Sequence, residues 1–201
     1  MAPVRLAGSV AACALAAAAA SVAAAAPAAA PSPDTKSPAL WATIDVCNTT
    51  AHPDTIGIRG SMPGTGDGAE SMFMQFRVEY LRNRVWTNIA RHGHSAFVAV
   101  GGAASRSRQG GVDFTFTTGA GRHYLLRGVV AYEWRLGGRV VAATLRSTTA
   151  GHGAGAGADP PGYSASVCSI AAKRRGSFVI TPVTPSAASR TIRAASSTVQ
   201  V

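Results

Sequence analysis

The chain has 201 residues, is 47% hydrophobic and 14% charged, and carries a formal net charge of +10. Its basic surplus does not sit on the patterned part: residues 39–170 hold twelve basic and eight acidic side chains, whereas residues 171–201 hold five basic ones and no acid. That distribution speaks against a specific nucleic-acid-binding core and leaves room for one domain with a basic extension.

In chain order, Arg5 is followed by an uncharged, alanine-rich run from Leu6 to about Ala30. A short basic start, an apolar stretch and small residues at its end predict a secretory signal peptide over residues 1–30. Two other readings compete. The run is long enough for a transmembrane anchor, although alanine is only weakly apolar and no basic stop-transfer cluster follows. Val10-Ala11-Ala12-Cys13 also resembles a lipobox, whose cysteine would be acylated. Export with cleavage implies a secreted or cell-surface protein with no transmembrane span in the mature chain.

Residues 31–38 read Pro-Ser-Pro-Asp-Thr-Lys-Ser-Pro, a linker with nothing to bury. From residue 39 the pattern changes to alternation with period two, the mark of half-buried strands. Strands are predicted over 40–47, 55–60, 72–80, 85–91, 96–100, 112–117, 124–135, 140–146 and 163–168. In the third, Met74, Phe76, Val78 and Tyr80 face the core, while Phe73, Gln75, Arg77 and Glu79 face outward. In the seventh, Leu126, Gly128, Val130, Tyr132 and Trp134 share one face, with Arg127, Glu133 and Arg135 on the other. Gly137-Gly138 then suits a two-residue hairpin with positive φ.

About nine short strands with regular turns and no helical period predict an all-β, antiparallel β-sandwich over 39–170. Gly121-Arg122-His123-Tyr124, entering a long strand, resembles the tyrosine corner of immunoglobulin-like and fibronectin-like sandwiches; a buried Tyr at a strand start is the simpler alternative. Cys47 and Cys168 bracket the pattern. In an oxidising compartment, with Cys13 removed, they are expected to form one disulfide. Residues 171–201, with Lys173-Arg174-Arg175, read as a disordered basic tail, suited to an anionic polymer or the cell envelope.

Leu40-Trp41-Ala42-Thr43-Ile44-Asp45-Val46-Cys47, His52-Pro53-Asp54-Thr55-Ile56-Gly57-Ile58-Arg59, Leu126-Arg127-Gly128-Val129-Val130 and Ala158-Asp159-Pro160-Pro161-Gly162-Tyr163 resemble segments of uncharacterised secreted β-sandwich proteins of high-GC Gram-positive bacteria. The likeness covers residues 39–170. It implies export and these domain limits, and no activity travels with it.

Candidate chemistry is sparse. His52, Asp54, His152 and Asp159 are zinc-type ligands that would make a site if they converged, although His52-Pro53-Asp54 also reads as a turn. His92 and His94 lack a third ligand. Ser95, with His94 or His123 and Asp113, permits a triad to be drawn, but no strained Gly-x-Ser-x-Gly elbow accompanies it. The glycine-rich run from Gly151 to Gly157 is followed by prolines, not by the helix a phosphate loop needs. Trp41 and Trp134 fit core positions, which leaves Trp86 as the aromatic expected to be exposed for binding. The resulting expectation is an exported, non-enzymatic module without a cofactor, which binds or builds at the cell surface. A metal-dependent or hydrolytic enzyme using His52, Asp54, His152 and Asp159 is the alternative.

Overall fold

A computed structural model describes residues 32–90, 93–116 and 123–171, together with two-residue strands at 179–180, 192–193 and 199–200. The expected signal peptide, Cys13, His92, and most of the basic tail lie outside the described residues. The described chain is all β.

Two long strands form the backbone of the larger sheet. Strands β3 (Glu70–Arg82) and β7 (His123–Leu136) pair antiparallel from Glu70↔Leu136 to Tyr80↔Leu126. Their alternation works as expected: Met72, Met74, Phe76 and Val78 meet Val130, Tyr132 and Trp134 in the buried core. On the far side of β3 lie the short β4 (Val85–Asn88) and β5 (Val98–Gly102). On the far side of β7 lie β8 (Arg139–Ser147) and β9 (Cys168–Ala171). Gly137 and Gly138 turn the β7–β8 hairpin with φ of 56° and 82°, values an L side chain adopts only at a cost.

The smaller sheet runs in the order β1 (Trp41–Cys47), β2 (Thr55–Pro63), β6 (Ser107–Thr115). Its inner face presents Ala42, Ile44, Ile56, Ile58, Met62, Val112 and Phe114 to the larger sheet, closing an antiparallel sandwich. Two buried polar tips are satisfied across the layers. The Tyr132 hydroxyl donates to the Trp41 carbonyl at 2.5 Å, and Trp134 Nε1 donates to the Pro63 carbonyl at 3.0 Å. Burial pushes the Tyr132 phenol far above its ordinary range. Cys47, at the end of β1, is bonded to Cys168, at the start of β9. The single disulfide therefore ties one sheet to the other.

Several expectations are corrected. β2 does not alternate; all nine of its residues are buried, because its outer face is covered as well. Glu79 points outward yet is buried, because Arg127, directly opposite in register, closes over it with a 2.8 Å hydrogen bond. The strand expected over 163–168 begins only at Cys168, since residues 163–167 leave the larger sheet to run beside β1. The segment expected as a strand over 85–91 stops at Asn88. Tyr124 packs edge-on against Tyr80, with centroids 6.5 Å apart; the residues a tyrosine corner would tie back to lie outside the described part. In the tail, Val179–Ile180 pairs with Val199–Gln200, and Ile192–Arg193 runs parallel to β6 at Gly110 and Gly111.

Candidate functional site

The most chemically loaded region is the outer face of the smaller sheet. A bulge in the β1–β2 register between Ile44 and Val46 lets Asp45 take its place there beside Thr43. Arg59 of β2 lies opposite Thr43, and Asp113 of β6 lies opposite Gly57. Arg59 and Asp45 are both 0% exposed, with Arg59 Nε 3.7 Å from Asp45 Oδ2. Gly57 makes the meeting possible: a Cβ there would stand 2.7 Å from Asp45 Oδ1 and 2.8 Å from Asp113 Oδ1. The two carboxylates thus converge over a bare stretch of backbone beside one guanidinium.

A strap formed by residues 148–167 seals this face. It fastens to the free edge of β1 through Thr149 N–H to Ala42 O (2.8 Å), the reciprocal pair Ile44 and Ala165 (2.9 and 3.0 Å), and Asp159 N–H to Asp45 O (2.8 Å). Its glycine-rich part then crosses to Arg59, whose Nη2 donates to the His152 carbonyl at 2.7 Å. The His152 ring stacks on Trp41, centroids 4.5 Å apart and 6° from parallel, with the Arg59 guanidinium 5.6 Å from the same indole. Ser164 Oγ accepts from His152 N–H (2.8 Å) and bonds Thr43 Oγ1 (2.7 Å).

Two properties of the strap give tests. A Cβ on Gly155 would fall 1.4 Å from Arg59 Nη1, and Arg59 has no free space to yield into. Gly155→Ala is expected to lift the strap and lower stability by about 1–3 kcal/mol, the cost of overpacking, as read by urea denaturation. Limited proteolysis should then cut within residues 150–158 faster than in the wild type. Secondly, burial and then the neighbouring Arg59 charge hold the His152 imidazole below its ordinary pKa of 6.5. The neutral ring is the native form, so its contribution is complete above pH 6.5 and is lost as the pH falls through the lowered value. Amide exchange in the strap, corrected for intrinsic rates, should accelerate below pH 6.5, and His152→Phe should remove that dependence while keeping the stack.

The four residues expected as metal ligands divide between the two ends of this strap. His52 and Asp159 meet at the Cys47 end: His52 Nε2 is 3.9 Å from Asp159 Oδ2, and Thr49 Oγ1 donates to that same oxygen. The His52 N–H in turn donates to Thr49 Oγ1 at 3.1 Å. Asp54 belongs to the turn instead, with φ of 54°, its N–H donating to Asn48 Oδ1 and its carbonyl accepting from Phe116. His152 sits over Trp41, at the opposite end of β1, on the order of 16 Å of strand away. Among the described residues, no group of three or more His, Cys, Asp or Glu is placed to hold a metal ion.

The residues from which a triad could be drawn are not gathered either. The Ser95 hydroxyl donates to the Ala96 carbonyl and accepts from Phe76 N–H, both backbone tasks. His94 is exposed beside it, His123 opens β7, and Asp113 lies in the other sheet. Trp86 is half-buried on β4, with the Arg127 guanidinium 4.5 Å above its ring.

Comparison with known proteins returned no match to the chain, whether among family models, curated proteins or solved structures. What the site can do is therefore argued from its own chemistry. Two carboxylates and a guanidinium shut away from water, held by backbone contacts from a covering strap, make a clamp that fixes a third layer onto the sandwich. Arg59 and Asp45 were missed in the sequence. Their signal was there, as the single charges within the otherwise uncharged runs 40–47 and 55–60, where a buried charge needs a partner.

Proposed function

We propose that the protein is an exported, non-enzymatic β-sandwich module that binds or helps to build a structure at the cell surface. The observation that carries this reading is the Cys47–Cys168 bond joining the two sheets, a linkage that persists in oxidising compartments. No helix among the described residues is long and apolar enough to cross a membrane. The alanine-rich leader supports export, and the likeness of residues 39–170 to secreted proteins of high-GC Gram-positive bacteria belongs to the same proposal. An immunoglobulin- or fibronectin-like kinship draws support from the strand order, β1-β2-β6 against β4-β3-β7-β8. That is a fold-level analogy, and it assigns no ligand. The buried charges support a non-catalytic role, because they hold the strap down and do not face solvent. The basic segment 171–201 suits an anionic polymer or the cell envelope.

Expression of the whole chain in a secreting Gram-positive host tests the reading. The expected product is found in the medium or wall fraction, begins between residues 24 and 30 but not at Pro27, and yields a Cys47–Cys168 peptide under non-reducing digestion. A chain retained in the cytoplasm with both thiols free would overturn it. The enzymatic alternative is favoured by one contact, His52 with Asp159 and Thr49. Stoichiometric zinc in the purified protein, lost in His52→Ala, would establish that reading instead.

A further inference from the structure

Two hairpins of the larger sheet turn through two residues with positive φ, and they differ in what occupies the turn. Between β7 and β8 stand Gly137 and Gly138; between β3 and β4 stand Asn83 and Arg84, with φ of 50° and 64°. A turn of this kind favours glycine at its second position, because a left-handed backbone crowds Cβ against the next carbonyl. An arginine held there costs stability that glycine would not. Local strain of this sort points to a task for the side chain at that place.

The tip of the β3–β4 hairpin gathers charge and apolar surface together. Arg82 and Arg84 are exposed, and neither has a hydrogen bond or ion pair among the described residues. Val85, opposite Arg82, is 62% exposed, more than any other large apolar side chain among the described residues. Leu81, 38% exposed, pairs with Trp86, and Leu125, one residue beyond the Tyr80↔Leu126 pair, is 37% exposed. Residues 77–88 and 123–127 contain one carboxylate, Glu79. It is buried, with Arg77 at 3.5 Å and Arg127 at 2.7 Å, so the charge left over at this end is positive. β9 ends at Ala171 opposite His123, at the same end of the sheet, and Lys173-Arg174-Arg175 follow within four residues.

Alternation along the ribbon puts Val85 on one face and the Leu81–Trp86 pair on the other. A flat partner surface could cover only one of these faces, whereas a bilayer interface surrounds the tip and receives both. Arginine reaches headgroup phosphates while its stem stays in apolar surroundings, and an indole is at home where water meets acyl chains. A soluble polyanion would engage the arginines and leave Val85 and Leu81 in water. We propose that the hairpin tip, residues 81–86, docks the protein on an anionic phospholipid surface. Arg82 and Arg84 meet the headgroup phosphates, and Leu81, Val85 and Trp86 enter the acyl boundary. This docking rests on the surface-binding reading above for the leaflet it meets, the outer one. Lipid affinity itself does not depend on export, so the two can fail separately. Two free charges and three apolar side chains make a weak, reversible attachment.

Co-sedimentation tests this with the mature chain, freed of the leader because its alanine run could itself enter lipid. Binding is expected to vesicles of mixed phosphatidylcholine and phosphatidylglycerol, to fall with added salt, and to be slight on phosphatidylcholine alone. Arg82→Gln combined with Arg84→Gln should weaken it by about tenfold or more, and Val85→Asp by a similar factor. Melting temperatures should hold in both, since all three side chains are exposed. Arg84→Gly should raise the melting temperature while weakening binding, which separates the charge from any part in folding. Tryptophan emission should move to the blue on the anionic vesicles. Trp134 is fully buried and Trp41 lies against His152, so the shift should vanish in Trp86→Phe. A chain that ignores the anionic vesicles would overturn the proposal. So would undiminished binding by the double arginine variant, which would assign the lipid contact to the basic tail. Loss in that variant with full binding by Val85→Asp would overturn it too, and would give the tip to a soluble anionic polymer.

Discussion

Arg59→Ala is expected to cost about 3–5 kcal/mol of folding stability, the loss typical of removing one partner from a buried ion pair. The substitution would leave the Asp45 and Asp113 carboxylates facing each other over Gly57 without the guanidinium that now lies beside them. It would also remove the donor that fixes the His152 carbonyl and the cation beside the Trp41 ring. The deficit should be read by urea denaturation of the oxidised protein near pH 7. A loss under about 1 kcal/mol would mean that the cluster does not clamp the strap. Replacing Arg59, Asp45 and Asp113 together by Met, Asn and Asn should recover much of the loss, since no charge then remains stranded.

Reduction of the disulfide is expected to have an effect of similar size. Cys47 and Cys168 are 121 residues apart, and closing a loop of that length removes about 5 kcal/mol of denatured-state freedom on the chain-entropy model. Domains of this size are commonly stable by about 5–15 kcal/mol, so the reduced form lies near the edge of folding at 37 °C. Thermal melts with and without a reductant, and of Cys47→Ser, should show the same large drop. Local exchange should reveal where it begins. β9 is a four-residue strand held to β7 from His123↔Ala171 to Leu126↔Cys168, and it follows directly on the strap. Amides of residues 148–171 should lose protection before those of the β3–β7 pair. A melting curve indifferent to reductant would show that the sandwich needs no covalent tie.

The strands were legible because burial on one face leaves a period of two in the sequence. Met72 to Val78 and Leu126 to Trp134 carry that period cleanly, and the structure seats their apolar members in the core. Gly137-Gly138 announced its hairpin because only glycine supplies two successive positive φ values without strain. β2 was read too short because its outer face is also buried, and a strand covered on both sides loses its alternation. The site was the least legible part. His52, Asp159 and His152 stood out as residue types, yet only the path of the strap brings Asp159 to His52 and sends His152 to Trp41. Arg59 and Asp45 looked like ordinary strand charges until a third layer excluded water from them.

By itself the amino-acid sequence determined an all-β body and the two cysteines available to close it. These follow from local periodicity, turn chemistry and composition, each of which acts over a few residues. Only the tertiary structure decided which strands share a sheet, that the disulfide joins the two sheets, and that the glycine-rich segment is a strap over buried charges. The physical reason is distance along the chain. Asp45, Arg59, Asp113 and His152 share one face only because strand pairing and a returning loop place them there, and no pattern in neighbouring residues records that placement.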